Sequence, residues 1–519
     1  MSHATLQRTA EVRTGAPPPR RWPFAPAVTA LLAQMAIAMV TTAVQQTPTA
    51  DEPVHVGAAA VYLEQHSLRY NPEHPPLGKL VMATGLAFAG LRLDLGFSGD
   101  QTELGRHVLY GQGNDPGEVL LPARLPMIVL MLLFGLVVFR FAADISTRTG
   151  GLLALALHAF SPGVIAHGSL ATLDVPVTGF LLTSAWLLWR ARDDPALHLP
   201  LAGLALGAAV ATKMNALAAV AVLLVLAVWR HRARATWLVV VALAVVWATY
   251  LAVDPLLRWE SPPDLPSAPV GWLPLPEPYL DGLRAQAGFG NRVWGGYLFG
   301  THYDGSHWYY LPAALLVKTP VGALLLWCAG VVALLEEKRE AALHLLAPAA
   351  VLLVVAMSGN RDLGVRYAIA APVFLAVAAA VVAHRRWAVL AAALVAVSSL
   401  WTFPYYLPYS NEVFGGPSKT HLHLHDSNVD WGQDLGRLAE RLKRYPGERL
   451  WLVYKGAGVP EHYGVHAADP REAEPGDVHG LLVVSNTAIA QAGDRLRALL
   501  GTSAPIDSVG HSITIFRRP

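Results

Sequence analysis

The 519-residue chain has one cysteine, Cys328, and it lies inside an apolar run. No intramolecular disulfide can form, and a cysteine-based metal site is disfavoured. Charge is scarce as well: only 15% of residues are Asp, Glu, Lys or Arg, and the net charge is +2, which gives no polyelectrolyte basis for binding nucleic acid. There is no internal repeat, which weighs against the inverted-repeat transporter folds. Apolar side chains are abundant, at 54% of the chain, a composition that excludes an ordinary soluble globular protein. Between Ala27 and about Trp401 the apolar runs recur at about 17 to 25 residues, the length a helix needs to cross a bilayer.

Hydropathy predicts an α-helical polytopic membrane protein of about eleven spans, near 27–45, 124–142, 150–166, 173–190, 199–212, 215–230, 236–253, 312–335, 341–357, 366–384 and 387–403. The first run lacks a clean small-residue cleavage site, so it is expected to be retained as a helix. The stretch 75–91 is short and Gly-interrupted and is expected to lie in the outer interface. Arg8, Arg13, Arg20 and Arg21 precede the first span. Further basic residues then fall at alternate connections: Arg140 and Arg148, Arg190 and Arg192, Arg230 to Arg234, Lys338 and Arg339, and Arg385 and Arg386. The positive-inside rule places these in the cytoplasm and the C-terminus outside. The expected organisation is a cytoplasmic tail (1–26), a transmembrane domain (27–403) with outer loops 46–123 and 254–311, and an extracytoplasmic α/β domain (404–519). In that last part, helices at 434–445 and 487–500 alternate with strands at 449–454, 480–485 and 512–516.

The acidic pair Asp51-Glu52 follows the first span. Carboxylates at a membrane boundary are costly unless they have a task. A helix N-cap before Pro53 is one such task; taking a proton from a hydroxyl acceptor is another, and the two are compatible. Next comes His74-Pro75-Pro76-Leu77-Gly78-Lys79, whose prolines start a helix with Lys79 on its first turn, where phosphate is favoured. A snorkelling lysine on an interfacial helix is the plainer alternative. A second acid, Asp174, returns to the outer face in an almost uncharged hairpin. Basic residues stand at outer span ends against the positive-inside bias: Arg124, Lys213, Lys318, Arg361 and Arg366. A departing phosphate would give them a purpose, with Arg124 and Arg366 ahead of Lys318; phospholipid headgroups are the alternative. The histidines number 20, and His421, His423 and His425 alternate, but no partner has metal-ligand spacing. A divalent metal at Asp51, Glu52 and Asp174 is compatible with the acids, though no spacing demands one.

The acidic pair after the first span, the His-Pro-Pro-x-Gly-Lys stretch and the Asp174 hairpin resemble the GT-C superfamily. They are closest to its protein O-mannosyltransferase and aminoarabinose-transferase branch of phospholipid-carrier-dependent glycosyltransferases. Gly296-Tyr297-Leu298-Phe299-Gly300, Trp308-Tyr309-Tyr310-Leu311-Pro312 and Gly364-Val365-Arg366-Tyr367 extend the resemblance. Asp426-Ser427-Asn428-Val429-Asp430-Trp431-Gly432-Gln433-Asp434 resembles bacterial members with a soluble tail.

The resemblance implies inverting transfer from a polyprenyl-phosphate sugar outside the cytoplasmic membrane. Asp51, Glu52 and Asp174 would be the catalytic acids, and His74, Lys79, Arg124, Lys213, Arg366 and Tyr367 would bind the lipid phosphate. The implied partners are the polyprenyl-phosphate-linked donor, membrane lipid and an unidentified hydroxyl acceptor on protein, lipid or glycan. A glycolipid transporter or flippase that breaks no bond is the rival reading. Clustering of the titratable residues at the outer boundary, not at mid-bilayer, favours surface chemistry.

Overall fold

The computed structural model describes residues 24–290 and 292–519. Arg8, Arg13, Arg20, Arg21 and most of the expected cytoplasmic tail lie outside the described residues. The first helix, α1 (Ala25–Gln45), carries no charged residue along its 21 residues. After a short extended link, the chain enters three helices of the first outer loop. They are α2 (Glu52–Gln65), started by Pro53, α3 (Leu77–Leu86), and α4 (Gln101–Tyr110), closed by a capping box between Asp100 and Glu103. The ten residues of α3 rise about 15 Å, half the hydrocarbon thickness, so α3 is too short to cross. α2 packs between α3 and α4 around Val56, Ala59, Met82, Leu104 and Val108.

The next helix, α5 (Pro116–Ile145), runs for 30 residues. It begins eight residues before the expected span at 124 because Asp115 caps it, accepting the Gly117 and Glu118 amides at 2.8 and 3.2 Å, and Pro116 occupies its first position. Arg124 therefore projects from within the helix and not from its outer end. The bundle continues through α6 (Arg148–Ala159) and α7 (Pro162–Gly168), bent by 60° at Ser161-Pro162, then α8 (Asp174–Arg190), α9 (Pro195–Val210), α10 (Leu217–His231) and α11 (Thr236–Val253). α8 packs on α9, and α9 on α11. Asp174 and Arg190 mark opposite ends of α8. Arg190 meets Asp144 at 3.1 Å and Arg192 meets Glu340 at 3.2 Å, so these basic residues gather at the end away from Asp174.

The second outer loop contributes α12 (Glu277–Gly290) and an antiparallel hairpin, β1 (Gly295–Leu298) with β2 (Thr301–Asp304). The chain then re-enters the bundle as α13 (Tyr310–Lys318) and α14 (Val321–Glu337), which meet at 120°. It closes the bundle with α15 (Arg339–Met357), α16 (Ala370–Ala378) and α17 (Arg386–Thr402). The protein is a multi-pass membrane protein. Among the described residues, five helical stretches can cross a bilayer by length and composition, or seven if each bent pair counts as one span. The eleven expected segments are all helical, but α8, α9 and α17 are too short by this measure, the expected spans 215–230 and 236–253 fall in one 40-residue stretch, and helix length does not fix the count.

Residues 404–434 run as turns and short 3-10 helices against the end of the bundle that carries Asp51 and Asp174. Beyond them lies a small α/β unit made of α18 (Leu435–Leu442), β3 (Leu450–Val453), β4 (Gly480–Ser485), α19 (Asn486–Ala490), α20 (Asp494–Gly501), β5 (Ala504–Val509) and β6 (Ile513–Arg518). The sheet order is β3-β4-β6-β5; β3 and β4 are parallel and the other pairs antiparallel. Two expectations are corrected here. The helix at 487–500 is two helices, interrupted before Gly493, and β5 is an additional, mostly exposed edge strand.

Candidate functional site

A cavity of about 540 Å³ opens between the first outer loop, α12 and the segment preceding α16. Asp51, His55 and His74 line it from the first loop; Lys213, Arg361, Arg366 and Tyr367 line it from the bundle side. The start of α2 aims Asp51 into this space. Its carboxylate is 39% exposed and pairs with the Arg366 guanidinium, which is only 7% exposed. Arg366 is stacked between Trp431, 4.3 Å from the ring centre, and Tyr367, at 5.1 Å. Burial alone would raise the Asp51 pKa; Arg366 and His55 outweigh it and hold the group below the usual carboxylate range.

His55 lies one helical turn after Asp51 on the same face of α2. Burial pushes its pKa down to about 4, and Lys79 and Lys213 add to the effect while Asp51 opposes it. His74 is likewise lowered, by burial first and by Lys213 next. The two rings lie 5.4 Å apart, both neutral at neutral pH, and each has a buried Nδ1 without a hydrogen-bond partner. At the back of the cavity Lys213 donates to Asp174 Oδ1 at 2.7 Å. Three basic side chains (Lys213, Arg361 and Arg366) thus share the cavity lining with two acidic ones, Asp51 and Glu73. A second space of about 270 Å³ shares Arg361, Arg366 and Tyr367 with the first and continues among apolar residues of α8 and α15, including Val177, Leu181, Leu352 and Val355.

Four of the residues singled out from sequence are fully committed elsewhere. Glu52 is completely buried. It accepts Arg124 Nε at 2.7 Å and an Arg124 terminal nitrogen at 2.6 Å, together with the Thr49 amide and hydroxyl at 3.0 Å and the Ala171 amide at 2.8 Å. Arg124 directs its remaining N–H groups to the carbonyls of Ala43 (2.6 Å), Gln46 (2.9 Å) and Thr47 (3.3 Å), so all five guanidinium protons are used. Lys79, also wholly buried, donates to the Asn71 carbonyl at 2.8 Å, the Asn71 side chain at 3.2 Å and the His74 carbonyl at 2.7 Å. It holds the turn that presents His74, and Asn71 takes the left-handed conformation this turn requires (φ 56°). Lys318 is similarly spent on the Leu407 and Asn428 carbonyls, at 2.6 and 2.5 Å.

The structure therefore brings Asp51, His74, Lys213, Arg366 and Tyr367 to one cavity, sets Asp174 directly behind Lys213, and moves Glu52, Arg124 and Lys79 into its supporting wall. Each acid considered for a divalent metal meets a basic side chain, and among the described residues no three His, Cys, Asp or Glu are grouped as metal ligands. Sequence reasoning missed His55, which its spacing of four from Asp51 could have revealed, and Trp431, for which no local signal exists.

Comparison with known proteins supports the resemblance to the protein O-mannosyltransferase branch over the first part of the chain. The family model described as dolichyl-phosphate-mannose-protein mannosyltransferase matches residues 29–254, which include Asp51, His74, Asp174 and Lys213. No curated protein sequence matches the chain. Among solved structures, the chain is similar to ArnT from Cupriavidus metallidurans bound to undecaprenyl phosphate, at 15% identity and a TM-score of 0.49, covering 94% of this chain and 97% of that one. It is also similar to the Archaeoglobus fulgidus oligosaccharyltransferase tethered to an acceptor peptide, at 12% identity and a TM-score of 0.48, covering 93% and 72%. The Saccharomyces cerevisiae Pmt1-Pmt2 complex bound to its sugar donor is similar over 44% of this chain and 33% of that one, at 17% identity and a TM-score of 0.32.

Proposed function

We propose that this protein is an inverting glycosyltransferase that moves a monosaccharide from a polyprenyl-phosphate carrier to a hydroxyl acceptor on the outer face of the cytoplasmic membrane. One observation carries the reading: Asp51 and Glu73 face Lys213, Arg361 and Arg366 across a single cavity, and a second space that shares Arg361 and Arg366 with it is bordered by apolar residues of α8 and α15. The second space suits a polyprenyl chain entering from the bilayer, and Lys213, Arg361 and Arg366 suit the phosphate at its end. In the transfer, Asp51 takes the proton of the acceptor hydroxyl. The hydroxyl oxygen forms a bond to the anomeric carbon from the face opposite the phosphate. The carbon–oxygen bond to the phosphate breaks, and the electron pair leaves with polyprenyl phosphate, whose charge the cations hold.

The Asp51–Arg366 pair fits this sequence of events. An incoming phosphate draws Arg366 toward itself, and Asp51 becomes a stronger base as its counter-charge departs. Asp174 keeps Lys213 aimed at the same point. Glu52, sealed onto Arg124, fixes the first turn of α2 and so the direction of Asp51.

The test is purified protein with radiolabelled polyprenyl-phosphate sugar and candidate hydroxyl acceptors. Label leaving the carrier for an acceptor in the wild type, and not in Asp51→Asn, supports transfer. Movement of intact labelled carrier across a vesicle membrane without bond cleavage supports a transporter and removes the enzymatic reading.

A further inference from the structure

The segment 426–434, Asp-Ser-Asn-Val-Asp-Trp-Gly-Gln-Asp, touches neither end of the reaction described above, yet few stretches of its length are so thoroughly bonded. Its contacts fall on the residues next to the two members of the Asp51–Arg366 pair. The Trp431 carbonyl accepts the amide of Ala50, the residue before Asp51, at 3.0 Å. The Asn428 side chain accepts the amide of Val365, the residue before Arg366, at 2.9 Å. Flanking bonds repeat the pattern. Thr47 donates its amide to the Gln433 carbonyl and its hydroxyl to the Gly432 carbonyl, both at 3.0 Å, and the Ser427 hydroxyl donates to the Leu363 carbonyl at 2.8 Å. Between these attachments, the buried Trp431 indole lies against the Arg366 guanidinium.

The segment is held from its other side by the C-terminal unit. Thr487, at the start of α19, gives its hydroxyl to the Asp430 carbonyl at 2.8 Å and its amide to the Asp430 carboxyl at 3.3 Å, and its hydroxyl oxygen accepts the Asp426 amide at 3.0 Å. Two glycines make the fit. Gly432 has φ 92°, and a Cβ there would come within 2.7 Å of the Gly456 backbone; a Cβ on Gly364 would meet Ser427 Oγ at 1.9 Å.

We infer that residues 426–434 are a strap that sets Arg366 against Asp51, with Trp431 as its positioning residue, and that the C-terminal unit is thereby part of the reacting centre. The inference rests on the glycosyl-transfer reading only for what the pair does; the strap itself is a statement about geometry. Trp431 does not touch substrate. It acts by fixing the plane from which Arg366 reaches Asp51 or a phosphate.

Two measurements on the full-length protein test it. In the transfer assay, Trp431→Leu lowers kcat about 3- to 30-fold with KM for the carrier unchanged within twofold, and Trp431→Phe recovers most of the loss because it restores an aromatic face to the cation. Equal losses in the Leu and Phe variants overturn the positioning role. The second measurement needs no activity. Hydrogen exchange of the protein in detergent, comparing wild type with Asn428→Ala and Trp431→Leu at the same interval below each protein's melting temperature, should show peptides covering 47–55 and 363–370 losing protection together. Loss confined to 425–435 overturns the strap. Should wild-type protein transfer no label at all, the functional reading fails, and the exchange result still decides the strap.

Discussion

Asp51 and Glu52 are neighbours in sequence, each paired with an arginine, and the two pairs could hardly differ more. Glu52 and Arg124 are 0% and 1% exposed, and every donor of that arginine is taken, three of them by main-chain carbonyls at the end of α1. Asp51 is 39% exposed, its arginine keeps a buried Nε without a partner, and the contact looks into a cavity. A charge already saturated by fixed partners can hold a wall but cannot respond to a ligand. A charge with capacity left over, next to open space, can exchange partners. Unused hydrogen-bonding capacity, more than the presence of charge, separates a reacting pair from a structural one.

The comparison can be broken by experiment. The largest effect is expected for Asp51→Asn, which removes the proposed base and should lower kcat by about 10² to 10⁴-fold while the melting temperature stays put. An Asp51→Asn protein of undiminished turnover would end the distinction. Next comes Arg124→Met, which strands the Glu52 carboxylate in the interior at a cost of about 3–5 kcal/mol, read as a loss of folded protein in detergent. The double variant Glu52→Gln/Arg124→Met should recover part of that loss, with whatever folds retaining near-normal KM. Lys213→Met removes a charge-assisted bond from the cavity and should lower kcat/KM about 10- to 150-fold; because it leaves the buried Asp174 carboxylate unpaired, a loss of folded protein in detergent should accompany it.

The smallest effect sharpens the rule from a third case. Asp430 is as buried as Glu52 but is met by the Gly432 and Thr487 amides and not by a guanidinium. Burial, helped by the nearby Asp434, pushes its pKa up to about 7, above the value of 3.8 it has in the open chain. The folded state therefore favours the neutral acid. The stability this group contributes is whole below about pH 4 and is lost as pH climbs to and past about 7. Melting temperatures of wild type and Asp430→Asn, measured from pH 4 to 8, should diverge in that window, the variant being the flatter.

Much of this was legible in the chain. The long apolar runs announced the bundle, and the acids before Pro53 and Val175-Pro176 announced two helix starts facing the same side. Chemistry could be read wherever it was local: Asp51, His74 and Lys213 all reach the cavity. What could not be read was allocation. Arg124 looked like a phosphate ligand because the carbonyls of Ala43, Gln46 and Thr47 that consume it come from the end of another helix, and a carbonyl leaves no mark in a sequence. Lys79 was misjudged for the same reason, spent on the turn at Asn71. Trp431 stands 65 residues after Arg366, and its place beside that guanidinium depends on the whole course of the chain between them. β5 escaped notice because an exposed edge strand carries no apolar alternation, as Ala504–Val509 illustrates.

The Ala50–Trp431 bond has a bearing on how the molecule comes into being. Its two halves are made at opposite ends of synthesis, so a nascent chain can insert its early helices and enclose Glu52 with Arg124 long before anything arrives to seat Arg366. Until residue 431 has left the ribosome and folded back, Arg366 lacks the Trp431 face and Ala50 lacks its carbonyl partner. On the proposed transfer reading, the reacting pair is in this way completed only by one of the last segments to be made.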